Sequence, residues 1–227
     1  MSVIETTIDG VIYTSVFNPE DGRKNWQDMV TAFCYAFKEE PDTTLVLKFV
    51  SNKTQEAEQL LLNLLHKSSP FKCRVVASSS FLGQEDFENL IRHSAFYVNT
   101  SHGEGQCLPL MEFLSCGIPA IAPRVSAMAD YIDSDIAFLI NASEEITHWQ
   151  HDERRRFRTL QSRIDWSSLV AAYQESLRVF KTDKTQYDKM SIAAVEHMQH
   201  HCSQDKTKLE LKSLLDKVLS VETDCHG

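Results

Sequence analysis

The chain has 227 residues, 42% of them hydrophobic, enough to bury the core of one α/β domain or two small ones and too apolar for a disordered chain. Its formal net charge is −9, from 23 basic and 32 acidic side chains, which excludes a nucleic-acid backbone or an anionic membrane as partner unless a local basic patch opposes the overall field. No window approaches eighteen consecutive apolar residues, and "MSVIETTIDG" lacks a basic segment followed by an apolar run, so the sequence reads as soluble and cytosolic. Six cysteines are scattered without a C-x-x-C pair; four lie in apolar periodic segments, where a thiol serves as a small hydrophobe rather than half of a disulfide.

In chain order, "GVIYTSVF" (10–17) is rich in β-branched and aromatic residues and ends at the turn-forming "NPEDG", which predicts a buried strand. Trp26, Met29, Val30, Phe33 and Phe37 then fall at helical spacing, and "TTLVLKFV" (43–50) returns to strand character. The alternation continues with a helix marked by Leu60, Leu61, Leu64 and Leu65, a strand at 73–78, a helix at 84–94 and a strand at 95–100. A helix over 108–117 and strands at 119–123 and 136–140 complete the series. Such alternation predicts an α/β fold: a Rossmann-like, mainly parallel sheet with helices on both faces.

From about Glu144 strand signals stop, and the remainder reads as helices over 151–163, 167–181, 184–201 and 204–220, all expected to pack back on the sheet. The expected division is therefore 1–145 as the Rossmann-like domain and 146–227 as a helical segment. The "ERRRFR" run (153–158) reads as a basic helix face paired with nearby carboxylates. His197 and His201, four apart with Cys202 adjacent, have a spacing that suits zinc, but no fourth ligand is evident and no metal is assigned.

The stretch "HGEGQCLPLMEFLSCGIP" (102–119) carries the chemistry. In an open parallel sheet, ligands bind beyond the carboxyl ends of the strands, and this stretch follows one. Gly103 and Gly105 allow close backbone approach, while Pro109 suits the first turn of a helix whose free N–H groups favour a phosphate. Glu104 and Glu112 would repel that phosphate, so they are better aimed at hydroxyl donors on either side of it. Hydroxyls flanking phosphates describe a nucleotide sugar. Arg23 and Lys24, in the loop after the first strand, stand at the same edge and can neutralise a diphosphate. His102 abuts Gly103 and reads either as a donor or acceptor contact or as a turn residue.

"VFNPEDGRKNWQDMVTAF", "LVLKF" and "AFYVNTSHGEGQCLPLMEFLSCGIPAIAP" together resemble the C-terminal, donor-binding domain of retaining GT-B glycosyltransferases, the large group 1 family that builds bacterial polysaccharides and related glycans. The pattern covers roughly residues 10–145, and its most specific element is a pair of glutamates with seven residues between them, matched by Glu104 and Glu112. The resemblance implies that Glu104 faces the donor sugar, that Gly105, Gln106, Cys107 and Leu108 present N–H groups to sugar and diphosphate, and that Glu112 accepts from the ribose. Arg23 and Lys24 would hold the departing diphosphate, and the base would lie near Ser80, Phe81 and Leu82.

No metal or cofactor is implied beyond the nucleoside diphosphate sugar itself. Two departures stand out: "SVF" occupies the end of the first strand, where many relatives have Gly-Arg, and the acceptor-binding N-terminal half of the two-domain fold is not in this chain. The implied partners are thus a nucleoside diphosphate sugar, that missing domain and a glycan or lipid-linked acceptor. The implied place is the cytoplasm, or the inner membrane face through the parent enzyme. The isolated chain is expected to be inactive, and the rival reading is a degenerate, non-catalytic module in complex assembly. A glycoside hydrolase is disfavoured, because both carboxylates sit on one loop and the helix it leads into.

Overall fold

The computed structural model describes residues 8–51, 53–148 and 152–224. Six parallel strands form one sheet: β1 (Val11–Phe17), β2 (Thr43–Phe49), β3 (Arg74–Ser78), β4 (Phe96–Val98), β5 (Ala120–Pro123) and β6 (Ala137–Ile140), in the order β3-β2-β1-β4-β5-β6. Helices α1 (Trp26–Ala36), α2 (Gln55–Ser68), α3 (Gln84–His93) and α4 (Leu108–Ser115) lie between them, as the alternation predicts. After β6 come α5 (Trp166–Thr182), α6 (Lys184–Cys202) and α7 (Gln204–Asp224).

Alternate residues of β1 face opposite layers, which is why the strand reads as nearly continuous apolar sequence. Val11, Tyr13 and Phe17 join one core with α1, α2 and α5, whereas Val16 packs against a second core made by α3, α4 and α6. Tyr13 is fully buried among the rings of Phe33, Phe37, Phe96 and Tyr173, and its hydroxyl hydrogen-bonds Ser176 at 3.1 Å. That contact ties the first strand to α5, so the C-terminal helical segment contributes to the sheet's own core. The five described cysteines are free thiols, with Cys34, Cys73 and Cys107 buried. No helix among the described residues is long and apolar enough to cross a membrane.

Two expectations are overturned. Strand character does not stop at Glu144: β7 (Ala142–His148) and β8 (Arg158–Ile164) pair antiparallel from Ala142↔Ile164 to His148↔Arg158. The expected helix over 151–163 is therefore a turn and a strand, apart from residue 151, which lies outside the described residues. The "ERRRFR" run is no helix face: Asp152 caps the turn by accepting from the backbone N–H groups of Arg154, Arg156 and Phe157. A carboxylate that satisfies three amides fixes this turn locally. The second correction concerns α7, which does not pack on the sheet; Leu209, Leu211, Leu214, Leu215, Val218 and Leu219 are all exposed.

Candidate functional site

The strand order reverses between β1 and β4, the point at which an open parallel sheet offers a crevice to ligands. β1 leads into a 3-10 turn, Gly22–Lys24, whose N-cap Asp21 accepts from Arg23 N, and which closes on Asn25 in the left-handed region (φ 47°). β4 leads into Asn99, Thr100 and Ser101, all buried. Thr100 Oγ1 donates to the carbonyls of Lys24 and Asn25 at 3.0 and 3.1 Å, and His102 N donates to Arg23 O at 2.8 Å. Hydrogen bonds thus stitch the two loops together, and Arg23, Lys24, His102, Gly103 and Glu104 arrive in one place.

The two cations do different work. Lys24 Nζ lies 2.6 Å from Glu104 Oε1, which also accepts from Ser101 Oγ at 2.6 Å; the lysine side chain is 17% exposed and the glutamate 6%. Arg23 holds Asp21 Oδ2 with Nη2 at 2.7 Å and the Gly103 carbonyl with Nη1 at 2.9 Å. Burial pulls the Asp21 carboxyl upward, but hydrogen bonds from the Arg23 side chain and backbone outweigh it and hold Asp21 below the usual range. Arg23 Nε also donates to Asp21 Oδ1, so two of its five N–H groups remain for an anion.

The glutamate loop is anchored by its outer side. Glu104 N donates to Ser126 Oγ at 2.9 Å, Ala127 N to Glu104 O, and the Tyr131 hydroxyl to Gln106 O. The N–H groups of Gly105, Gln106, Cys107 and Leu108 donate to no protein acceptor among the described residues. Four consecutive backbone donors at a helix start form a cradle for an anion. A Cβ at Gly103 or Gly105 meets nothing within 4 Å and neither has positive φ, so the protein's own packing does not demand glycine there. What glycine keeps open is the space in front of the backbone.

Cys107 caps α4 in the left-handed region (φ 59°). Its buried thiol accepts from Asn99 Nδ2 at 2.9 Å, and burial above all pushes it up to about 11, so it remains a thiol at neutral pH. Glu112 lies one turn into α4, exposed, its carboxyl raised by partial desolvation. Leu82 is half-buried under α3 and Phe81 is 94% exposed in the loop after β3. The small cavity beside Lys24 is lined from β1, α1, β4 and the loop after it, and neither Phe81 nor Leu82 is among its walls.

Sequence reasoning missed Asp21, Asn99, Thr100, Ser101, Ser126 and Tyr131 as supports of this site. The only signal was a polar triplet, Asn99 to Ser101, between an apolar strand and a glycine. His102 proves to be more than a turn residue: its ring Nδ1 lies 2.9 Å from Ser162 O, while Ser162 N donates to His102 O at 2.8 Å. The β7–β8 hairpin is thereby fastened to the glutamate loop.

Comparison with known proteins supplies the family. A search of curated proteins finds no match. Among solved structures, the C-terminal domain of a glycosyl transferase group 1 family protein from Francisella tularensis superposes with a TM-score of 0.59 at 15% identity, covering 85% of this chain and 86% of that one. The catalytic domain of the Helicobacter pylori cholesterol-alpha-glucosyltransferase gives 0.56 at 14% identity, over 84% and 99%. Sucrose-phosphate synthase from Thermosynechococcus elongatus gives 0.65 at 20% identity, over 94% of this chain but 46% of that one. At such identities the superpositions establish the fold. The sequence model for glycosyl transferases group 1 matches residues 9–149, more than half of the chain and all of the site just described except the hairpin contact at Ser162, and the protein belongs to that family.

Proposed function

We propose that the chain is the donor-binding half of a retaining glycosyltransferase that moves a sugar from a nucleoside diphosphate sugar to a glycan or lipid-linked acceptor. The observation that carries this reading is the row of unengaged N–H groups from Gly105 to Leu108, which follows directly on Glu104 and its bond to Lys24. The amides and the start of α4 receive the diphosphate, Lys24 and the remaining Arg23 donors balance its growing charge as it leaves, and Glu104 accepts from the donor sugar. Glu112 accepts from the ribose, and the Phe81 ring offers a face for the base. No step requires a metal.

Transfer needs donor and acceptor held together, so on this reading the acceptor-binding domain completes the enzyme and the isolated chain turns over little. The parent enzyme works in the cytoplasm or at the inner membrane face. The test is calorimetric titration of UDP-, GDP- and ADP-sugars into the folded chain. One of them is expected to bind with saturation, and Lys24→Ala to weaken it at least tenfold; absence of binding by all three overturns the reading. The exposed apolar side chains of α7 favour a second reading, a non-catalytic module in complex assembly. A module of that kind has no use for the charge of Lys24, so its function should be indifferent to the double change Lys24→Met with Glu104→Gln, which removes the ion pair without leaving a buried charge.

A further inference from the structure

The hairpin does more than decorate the sheet. It stands over the carboxyl edge beside the glutamate loop and, with the 3-10 turn and the first turn of α5, surrounds a cavity of about 820 Å³. That volume suits a small ligand. The walls come from elements far apart in sequence: Asn25 and Asp28 beside the 3-10 turn, His102 from the glutamate loop, Gln161 and Arg163 from β8, and Trp166 from α5. His102 and Glu104 are two residues apart, so their Cα atoms are separated by no more than about 7 Å. Whatever occupies this cavity touches the neighbourhood of the donor sugar.

The lining has the chemistry of a polyol site. Asp28 Oδ2 accepts from Asn25 Nδ2 at 3.1 Å, and Asp165 Oδ1 from Ser168 N at 2.9 Å; in each carboxylate the other oxygen has no partner among the described residues. Gln161 donates through Nε2 to Glu145, which leaves one of its N–H donors and its carbonyl oxygen. The partner of His102 Nδ1 is a carbonyl, which can only accept, so the proton sits on Nδ1 and Nε2 of the neutral ring is an acceptor. Trp166 is held by its Nε1–H on Thr31 Oγ1 at 3.1 Å and by the Tyr35 ring at 5.2 Å, a fixed apolar surface among these polar groups. Paired donors and acceptors around one aromatic plane match the hydroxyls and the C–H face of a pyranose.

Charge narrows the class. The cavity carries the carboxylates Asp28, Glu145 and Asp165 against the single guanidinium of Arg163, which lies 3.9 Å from Glu145. A uronate or a phosphosugar meets net repulsion there, and a neutral sugar does not. We propose that the cavity between the β7–β8 hairpin and the glutamate loop binds a neutral sugar residue of the acceptor, with His102, Asp28 and Gln161 as its hydroxyl partners. That the sugar belongs to the acceptor rests on the proposed donor site; the sugar site itself does not.

The test uses the ¹⁵N-labelled full chain, titrated separately with glucose, galactose, N-acetylglucosamine, glucuronate and the nucleotides UDP, GDP and ADP. At least one neutral sugar is expected to give saturable shifts at Asn25, His102, Gln161 and Trp166, with glucuronate at least tenfold weaker. Asp28→Asn and Gln161→Ala, on separate elements, should each weaken that sugar at least tenfold while leaving nucleotide affinity within twofold. Sugar shifts centred on Lys24 and Gly105–Leu108, equal binding of glucuronate, or indifference to both substitutions overturns the proposal. Nucleotide binding without sugar binding sinks the cavity and leaves the donor reading standing. Sugar binding without any nucleotide keeps the cavity and sinks the donor reading.

Discussion

Glu104 sits between Lys24 and Ser101 with little access to water, so each charge of the pair depends on the other. Removing one partner of a buried ion pair costs about 3 kcal/mol or more, because the survivor stays buried without compensation. Lys24→Ala should therefore lower the urea midpoint as well as abolish diphosphate binding. The double change Lys24→Met with Glu104→Gln should recover most of the stability and none of the binding, which separates the two roles in one pair of measurements. Cys107 offers a second check at this scale. A side chain at φ 59° carries roughly 1–2 kcal/mol of strain, and a β-branched one carries more. Cys107→Val should destabilise by about 2 kcal/mol or more, whereas Cys107→Gly, which loses a small buried thiol but relieves the backbone, should be nearly neutral in the same urea titration.

Asp21 gives the pH dependence a sign. Its carboxyl is held below the ordinary value in the folded chain, so its stabilising contribution is complete above an unfolded value of about 3.9 and is lost as pH falls through the lower, folded one. Asp21→Asn should flatten the acid limb of a stability profile below about pH 4 and loosen Arg23 from its turn. Lys24 and Glu104 were singled out in the sequence because two features, each with a bland use when alone, fall at one edge of the sheet, and the structure brings the two side chains together. Ser101, Ser126 and Tyr131 were not, since a hydroxyl acquires its meaning only when another loop closes against it.

Among the elements, the four inner strands of the sheet, β2, β1, β4 and β5, were legible for a simple reason: each is buried or nearly so along its whole length, and burial writes apolar sequence; the edge strands β3 and β6 are partly exposed and were marked by their β-branched or apolar runs. The hairpin breaks that rule. β7 reads "ASEEITH" and has no buried residue, so no apolar alternation marks it. In and just before β8, Phe157, Leu160 and Ile164 fall at intervals of three and four, imitating a helix stripe. The structure resolves the ambiguity through pairing, since β8 faces β7 on one side and gives its Ser162 amide to His102 on the other. Ser162→Pro removes that donor, and the hairpin should come away from the glutamate loop. Hydrogen exchange is the check: amides of β7 and β8 should exchange at least tenfold faster, while those of β1 and β2 keep their protection.

At the scale of the molecule, the sheet, α5 and α6 share a core, and α7 stands outside it. An apolar stripe in a sequence normally announces burial, and here Leu209 to Leu219 lie in water on a helix that touches mainly α6. A stripe can report what a helix is built to contact without reporting that the contact lies within the same chain. Ending the chain at Ser203 should accordingly leave the thermal midpoint within about 2 °C, because none of residues 204–219 in α7 is buried. The shortened protein should also stay in solution at concentrations where the full chain self-associates, as light scattering would show.

The bonds that close the crevice, Lys24 to Glu104 and Arg23 to Gly103, each span 80 positions of chain. During synthesis the first β-α-β unit emerges and can collapse long before the glutamate loop leaves the ribosome. Contacts of such separation form late and slowly. On the proposed donor reading, ligand capture is therefore a marker of finished topology: a chain that binds has already threaded β4 beside β1, and a nascent or arrested chain ending before α4 should be blind to nucleotide however well its early strands are folded.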